Sequence, residues 1–347
     1  MKKIAVLHAQ IPFSRGGAEL MVETLTKELC KRGFQAELIS IPFRWYPENG
    51  LYDNMLMWKM LDLSEVNGES IDLVIPTKFP TYGINHPNKV LWLMHQHRAA
   101  YDLYLNKEHF GLGTIDNGEK MRGRIIKFDE VSLKESKRIY TISKNVAARL
   151  KENSNLQGEA LYHPPALQGR YYSDNFDNYI LTVGRLDPLK RNDLIIRALK
   201  FCDKNIQLVI VGKGPEKEKL EHLADREGVI DRVKFLGFVK DEELLKLYAN
   251  TRGVYFAPVD EDYGYITLEA FLSGKPVITC KDSGGVLEFV EDGKSGFVCD
   301  VQPENIAECI NKLFGDSSLA KAMGQEGCKS VKNISWDNVV DRLTAGI

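Results

Sequence analysis

Four charged residues stand at spacings that could act on an anionic, hydroxyl-bearing ligand. Arg185 and Lys190 follow the apolar run YILTVGRL (179–186) and could converge on one phosphate pair. Arginine offers a planar fork and lysine a compact point charge, so the two suit neighbouring phosphoryl oxygens. A solvated basic loop is the plainer reading. Glu261 and Glu269 lie in VDEDYGYITLEAFLSGKPVITC, where acids crowd the end of a strand and Gly264 opens a helix. The amides of Tyr265, Ile266 and Thr267 at that helix N-terminus can hold a phosphate. Glu261 is placed to meet a neutral hydroxyl and Glu269, two turns into the helix, a ribose. The plainer readings are a carboxylate drawn to the helix dipole for Glu261 and an exposed helix face for Glu269.

Three further segments follow strands in the same way. Ser14-Arg15-Gly16-Gly17 lets backbone approach a ligand before a helix N-terminus, or is simply a tight turn. It is not GxGxxG, so a dinucleotide fingerprint is absent. His95-Gln96-His97-Arg98 is a polar cluster of the kind found at strand ends, or a surface loop. Asp282-Ser283-Gly284-Gly285 reads equally well as a plain Gly-rich turn.

The elements that must position these residues alternate between strand and helix. IAVLH, FQAELISI, DLVIP, KVLWLMH and RIYTIS are predicted strands of the front half. The helix AELMVETLTKELCKRG places Leu20, Thr24, Leu25 and Leu29 on one face and ends at Gly33. In the rear half, YILTVGRL, QLVIVGKG, VKFLGFV, GVYFAP and PVITC alternate with helices. This is the pattern of an α/β chain with doubly wound parallel sheets. The halves meet at YHPPALQGRYY (162–172), giving expected lobes of 1–165 and 166–334. Ligands of such sheets bind outside the carboxyl ends of the strands, where all the segments above lie.

Composition agrees. The 347 residues are 44% hydrophobic and 27% charged, which excludes a disordered or collagen-like chain. A net charge of −2 argues against a nucleic-acid binder. Residues 1–165 carry 22 basic and 19 acidic residues, a net of +3 against −5 for the rest. None of the six cysteines forms a CxxC pair or stands at metal-ligand spacing with a histidine, as expected of thiols in a reducing compartment. The N-terminal apolar run is too short for a signal peptide, and no 18-residue apolar stretch exists.

Taken together, these motifs resemble the retaining glycosyltransferases of family 4, which have the GT-B fold: two Rossmann-like doubly wound lobes facing a central cleft. The resemblance runs through VGRLDPLKRNDLIIRAL, VIVGKGPEKEKLE, VKFLGFV, the Glu261-x7-Glu269 block, DSGGVLEFVEDGKSGFV, TISKNVAARL and Ser14–Gly17. It implies an enzyme that moves a sugar from a UDP- or GDP-sugar to a hydroxyl of a saccharide or lipid-linked glycan. Arg185 and Lys190 would neutralise the donor diphosphate, Glu261 would bond a sugar hydroxyl, and His95 would sit near an outer hydroxyl of the donor sugar. Glu269 would bond the ribose. Tyr263, Gly264, Tyr265, Ile266 and Thr267 would line the sugar and phosphate. Gly184, Gly212, Gly214, Phe238 and Val239 would cradle the nucleotide, and Gly16 and Gly17 would let the front lobe meet the diphosphate.

The resemblance further implies no metal and no cofactor beyond the co-substrate. The letters Asp260-Glu261-Asp262 imitate a metal motif without standing in its usual place. It places the last helix (335–347) back on the front, acceptor-binding lobe. A cytoplasmic enzyme is expected, with the front lobe as the candidate for peripheral contact at the inner membrane face. Departures from the pattern are the Tyr263-Gly264-Tyr265 core and the long, basic HQHRAAYDLY stretch. Two rivals share parts of this reading: a GT-B nucleotide-sugar 2-epimerase and an inactive sugar-nucleotide-binding protein.

Overall fold

A computed structural model describes residues 1–46, 49–107 and 111–347. The chain divides into two compact units, Met1–Ala166 with Ser335–Ile347, and Leu167–Ile334.

The first unit opens with β1 (Lys3–Gln10), α1 (Gly17–Lys31), β2 (Gln35–Pro42) and α2 (Asn49–Met60). A short hairpin, β3 (Glu65–Val66) and β4 (Glu69–Ser70), precedes β5 (Leu73–Pro76) and β6 (Val90–Leu93). Then come α3 (Gly118–Ser132), β7 (Arg138–Thr141), α4 (Lys144–Ser154) and β8 (Glu159–Ala160). Parallel strands run in the orders β2-β1-β5 and β6-β7-β8, and a bridge from Val74 to Lys89 links the two sets. Ala5, Leu7, Trp58, Val74 and Ile84 pack beside the first set. Lys89 is fully buried, and its ammonium donates to the carbonyls of Tyr82, Ile84 and Ser132 and to Glu135. That saturation is what allows a charge to sit inside a core.

The face of α1 differs from the expected one. Met21, Val22, Leu25 and Leu29 are buried, whereas Leu20 is exposed. Glu19 also turns inward, toward His8. The buried face therefore runs through Glu19, Val22, Leu25 and Leu29, with Leu20 on the solvent side.

The second unit is a six-stranded parallel sheet. Its elements are β9 (Tyr179–Val183), α5 (Asn192–Ala198), β10 (Gln207–Val211), α6 (Lys217–Arg226), β11 (Val233–Gly237) and α7 (Asp241–Asn250). These lead into β12 (Gly253–Tyr255), α8 (Tyr265–Leu272), β13 (Val277–Cys280), β14 (Gly296–Cys299), α9 (Pro303–Gly315) and α10 (Ser317–Val331). The strand order is β11-β10-β9-β12-β13-β14. Written by rank along the unit this is 3-2-1-4-5-6, the order of a doubly wound nucleotide-binding sheet. Chain direction switches between β9 and β12, and such a switch leaves a crevice at the strand ends. Ile180, Leu208, Ile210, Ile278, Ile306 and Ile310 fill its core.

A final helix, α11 (Trp336–Thr344), belongs to the first unit. Trp336 meets Trp92 edge-on and lies near the His163 ring, while Val339, Val340 and Leu343 are buried. Among the described residues, no helix is long and apolar enough to cross a membrane.

Candidate functional site

The switch point of the second unit gathers most of the candidates there. Gly184 to Arg191 follow β9, and Asp260 to Gly264 follow β12. The Lys190 ammonium donates to Glu261 Oε2 at 2.5 Å and lies 5.6 Å from the centre of the Phe256 ring. Burial works against the Lys190 charge, but Glu261, with Asp187 and Asp262 beyond it, holds its pKa above the ordinary lysine value. Arg185 is not part of this pair. Its side chain is 67% exposed, and its nearest carboxylate, Asp187, is 4.0 Å away. The two cations expected to converge are thus held differently, one locked and one open to solvent.

The loop bearing Glu261 is braced on both sides. Glu261 N–H donates to Ser283 O, and Gly285 N–H donates back to Glu261 O. Arg191, which the sequence reading passed over, is the main brace. It donates to the carbonyls of Ala257 and Pro258 and makes a two-pronged pair with Asp282. The Asp282–Gly285 turn therefore has a structural task, tying the β13 end to the Glu261 loop.

Gly264 adopts φ +92°, a left-handed conformation that costs other residues strain, and starts α8. The Thr267 amide already donates to Gly264 O at 3.0 Å. That corrects one expectation, since of the three amides assigned to a phosphate it leaves those of Tyr265 and Ile266. The Tyr263 ring is buried and meets Tyr265 and Phe289 edge-on, so it shapes the turn from beneath. Glu269 does not lie on an exposed helix face. It accepts from the Tyr248 hydroxyl at 2.7 Å, and the Tyr171 hydroxyl lies beside it. Burial raises its pKa, with these hydroxyls pulling the other way.

The glycines after β9 and β10 pack backbone to backbone. A Cβ at Gly212 would lie 1.8 Å from Gly184 O, and one at Gly214 would lie 2.1 Å from Leu186 O. Close chain packing alone therefore demands glycine at both positions. Phe238 is 75% exposed, whereas Val239 is buried. Of these two, only Phe238 offers a side-chain face to a ligand. The Val239 side chain belongs to the core because the β11 exit turns inward there.

The first unit holds its candidates at the end of β1, β5 and β6. Gly16 precedes α1, and its N–H donates to Glu19 Oε2 at 2.8 Å. A Cβ at Gly16 would meet nothing closer than that carboxylate, 3.7 Å away, so the approach over Gly16 is sterically open. The Gly16 amide at this helix N-terminus is already used by Glu19. The other oxygen of Glu19 accepts from His8 Nε2 at 3.2 Å and lies 3.9 Å from the Lys78 ammonium. His8 Nδ1 is buried without a partner among the described residues. This trio escaped the sequence reading because its members are scattered along the chain. The only local signal was an acid three residues after the start of a helix.

His95 follows β6, and its Nδ1 lies 2.7 Å from Gln96 O. His97 packs against Phe43 and Phe79, and burial with the neighbouring His95 pushes its pKa down to about 4. Among the described residues, no group of three or more His, Cys, Asp or Glu could hold a metal ion.

This geometry fits what the molecule resembles. Residues 170–330 match the family model of glycosyl transferases group 1. The class of domain that the second unit carries is thus a group 1 glycosyl transferase domain. An uncharacterized glycosyltransferase of Methanocaldococcus jannaschii is 34% identical over 167 residues, 47% of this chain and 43% of that protein. A GDP-mannose-dependent alpha-(1-6)-phosphatidylinositol monomannoside mannosyltransferase of Mycobacterium tuberculosis is 35% identical over 179 residues, 47% of this chain and 46% of that protein. The chain thus spans less than half the length of these curated relatives. Sucrose-phosphate synthase from Thermosynechococcus elongatus matches 99% of this chain and 97% of its own, with a TM-score of 0.80 at 17% identity. Anabaena HepE in complex with UDP and glucose matches 98% of each chain, with a TM-score of 0.72 at 18% identity. These structures show the fold, which is GT-B.

Proposed function

We propose that this protein is a glycosyltransferase that moves a sugar from a UDP- or GDP-sugar to a hydroxyl of a saccharide or lipid-linked glycan, with retention of configuration and without a metal. The observation that carries the reading is the Lys190–Glu261 pair at the switch point of a 3-2-1-4-5-6 sheet. The names of the relatives agree with it: one is a GDP-mannose-dependent mannosyltransferase, and HepE was solved with UDP and glucose.

In this reading the departing diphosphate is the centre of the chemistry, because negative charge builds on its oxygens as the sugar leaves. Lys190 meets that charge, and Arg185, exposed beside it in the chain, joins when the ligand arrives. The N-terminus of α8 adds fixed amide dipoles. Glu269 holds ribose hydroxyls, and Phe238 gives the base an apolar face. Glu261 accepts a hydrogen bond from a sugar hydroxyl while keeping Lys190 charged. The bond from the anomeric carbon to phosphate oxygen breaks, and the acceptor oxygen bonds to the same face of that carbon. The acceptor proton passes to the leaving phosphate oxygen. His95, on the first unit, is assigned to an outer hydroxyl of the donor sugar.

The acceptor belongs to the first unit in this proposal. Tyr46, Leu56, Met57 and Met60 are exposed there, and they are the side chains proposed to meet a lipid-linked acceptor or the cytoplasmic membrane surface. Failure to sediment with anionic vesicles would remove the membrane part. The main test is a thermal-shift panel of UDP, GDP and their sugars. One base should raise the melting temperature, and the Lys190→Ala variant should lose most of that shift. No stabilisation by any nucleotide would overturn the proposal. Conversion of a nucleotide sugar to its 2-epimer without acceptor would favour the epimerase instead.

A further inference from the structure

We infer that Asp129 is a positioning residue for His95, acting through Gln96. Asp129 lies on α3 and is fully buried. Its carboxylate accepts from the Tyr82 hydroxyl at 2.7 Å, the Tyr101 hydroxyl at 2.8 Å and Gln96 Nε2 at 2.8 Å. All three donors are neutral. A carboxylate buried on neutral donors is expensive, and a place where one is kept is a place where geometry is being fixed.

What it fixes is the side chain of Gln96. The second hydrogen on Nε2 goes to Ser154 Oγ at 3.0 Å, and Oε1 accepts from Asn153 at 3.3 Å. A flipped amide would set Oε1 against the Asp129 carboxylate, so one orientation is dictated. With its side chain held by α3 and α4, the Gln96 peptide is held too. Its carbonyl faces His95 Nδ1 at 2.7 Å. A carbonyl can only accept, so Nδ1 carries the proton and Nε2 is the acceptor nitrogen of the ring. Tyr101 ties the far end of the same loop to the same carboxylate. Asp129 thus selects both the tautomer and the orientation of an imidazole it does not touch.

The kinetic part of this inference rests on His95 serving the proposed transfer, but the tautomer part does not. Imidazole ¹⁵N spectra, with His95 assigned by its loss in His95→Gln, should show a single Nδ1–H form in the unaltered protein. In Asp129→Asn that form should give way to a mixture. With UDP-glucose or GDP-mannose, whichever is turned over, Asp129→Asn should lower kcat about tenfold and leave the donor KM within about twofold. Combined with His95→Gln it should be no slower than His95→Gln alone. A single unchanged tautomer in Asp129→Asn, or a double variant slowed by the full product of both effects, would overturn the inference. If His95→Gln itself leaves transfer unchanged, the catalytic use of His95 fails while the spectra still decide the positioning. Should Asp129→Asn not fold, Gln96→Met cuts the link while sparing the carboxylate and its tyrosines, and the same release of the His95 tautomer is expected.

Discussion

Lys190 and Glu261, 71 residues apart in the chain, form a 2.5 Å ion pair that joins the turn after β9 to the loop after β12. The pair spans the switch point of the sheet. It stores a cation where the proposed chemistry needs one, neutralised until a more highly charged partner arrives.

Removing either half should therefore have unlike effects. Lys190→Ala should lower kcat/KM about a hundredfold or more, the scale of losing one charge-stabilising donor. Glu261→Gln releases the ammonium from its carboxylate. It should leave nucleoside diphosphate affinity equal or tighter by calorimetry while turnover falls at least about tenfold. Equal losses of binding in both variants would contradict the roles given to the pair.

Glu269 is held by Tyr248 in a half-buried setting, ready to accept from hydroxyls. Glu269→Ala should weaken UDP or GDP binding about tenfold, near 1.4 kcal/mol. Tyr248→Phe, which only loosens the carboxylate, should cost less. Titration of the two variants against the same nucleotide gives the comparison.

Glu19 makes stability depend on acid. Burial alone would raise its pKa, but His8, Lys78 and the Gly16 amide pull it down to about 2. A carboxyl depressed in the folded state stabilises the fold above its unfolded pKa, near 4.5. That contribution, at most about 3 kcal/mol, fades as pH falls from about 4.5 toward 2. Glu19→Gln should unfold more easily than the unaltered protein at pH 7. Denaturant curves at pH 3 should show the gap mostly closed, and a gap that widens in acid would refute this account.

In the proposed reaction, charge on the leaving group is met by side chains and helix amides alone. Transfer activity should therefore survive millimolar EDTA and gain nothing from added manganese. Loss with chelator and rescue by the metal would show that the cation count given above is incomplete.

Much of the architecture could be read from local pattern. Buried parallel strands appear as short apolar runs, and QLVIV and VITC announce β10 and β13 in this way. The order in which strands neighbour one another could not be read, because register depends on long-range contacts. The strand Gly296–Cys299 was passed over for a related reason: its four residues carry a glycine and two half-buried side chains, too faint a signal. At the site, Arg185, Lys190, Glu261 and Glu269 stood out because they follow strands and match a family motif. Their environments did not. Nothing nearby in sequence announces that Lys190 meets Glu261, that Arg191 clasps Asp282, or that Tyr248 supports Glu269. Each of those contacts crosses at least 21 residues, and only folding brings the partners together.

The return of α11 to the first unit has a consequence for biosynthesis. A ribosome releases residues 1–166 first, yet Trp336, Val339, Val340 and Leu343 complete their packing only after the second unit has been made. The second unit, whose chain is continuous, can reach its final form during translation, while the earlier-made portion waits without the Trp336 ring that meets Trp92 and His163. Birth order and order of completion are thus reversed, and a nascent chain halted before Ser335 leaves its oldest part unfinished.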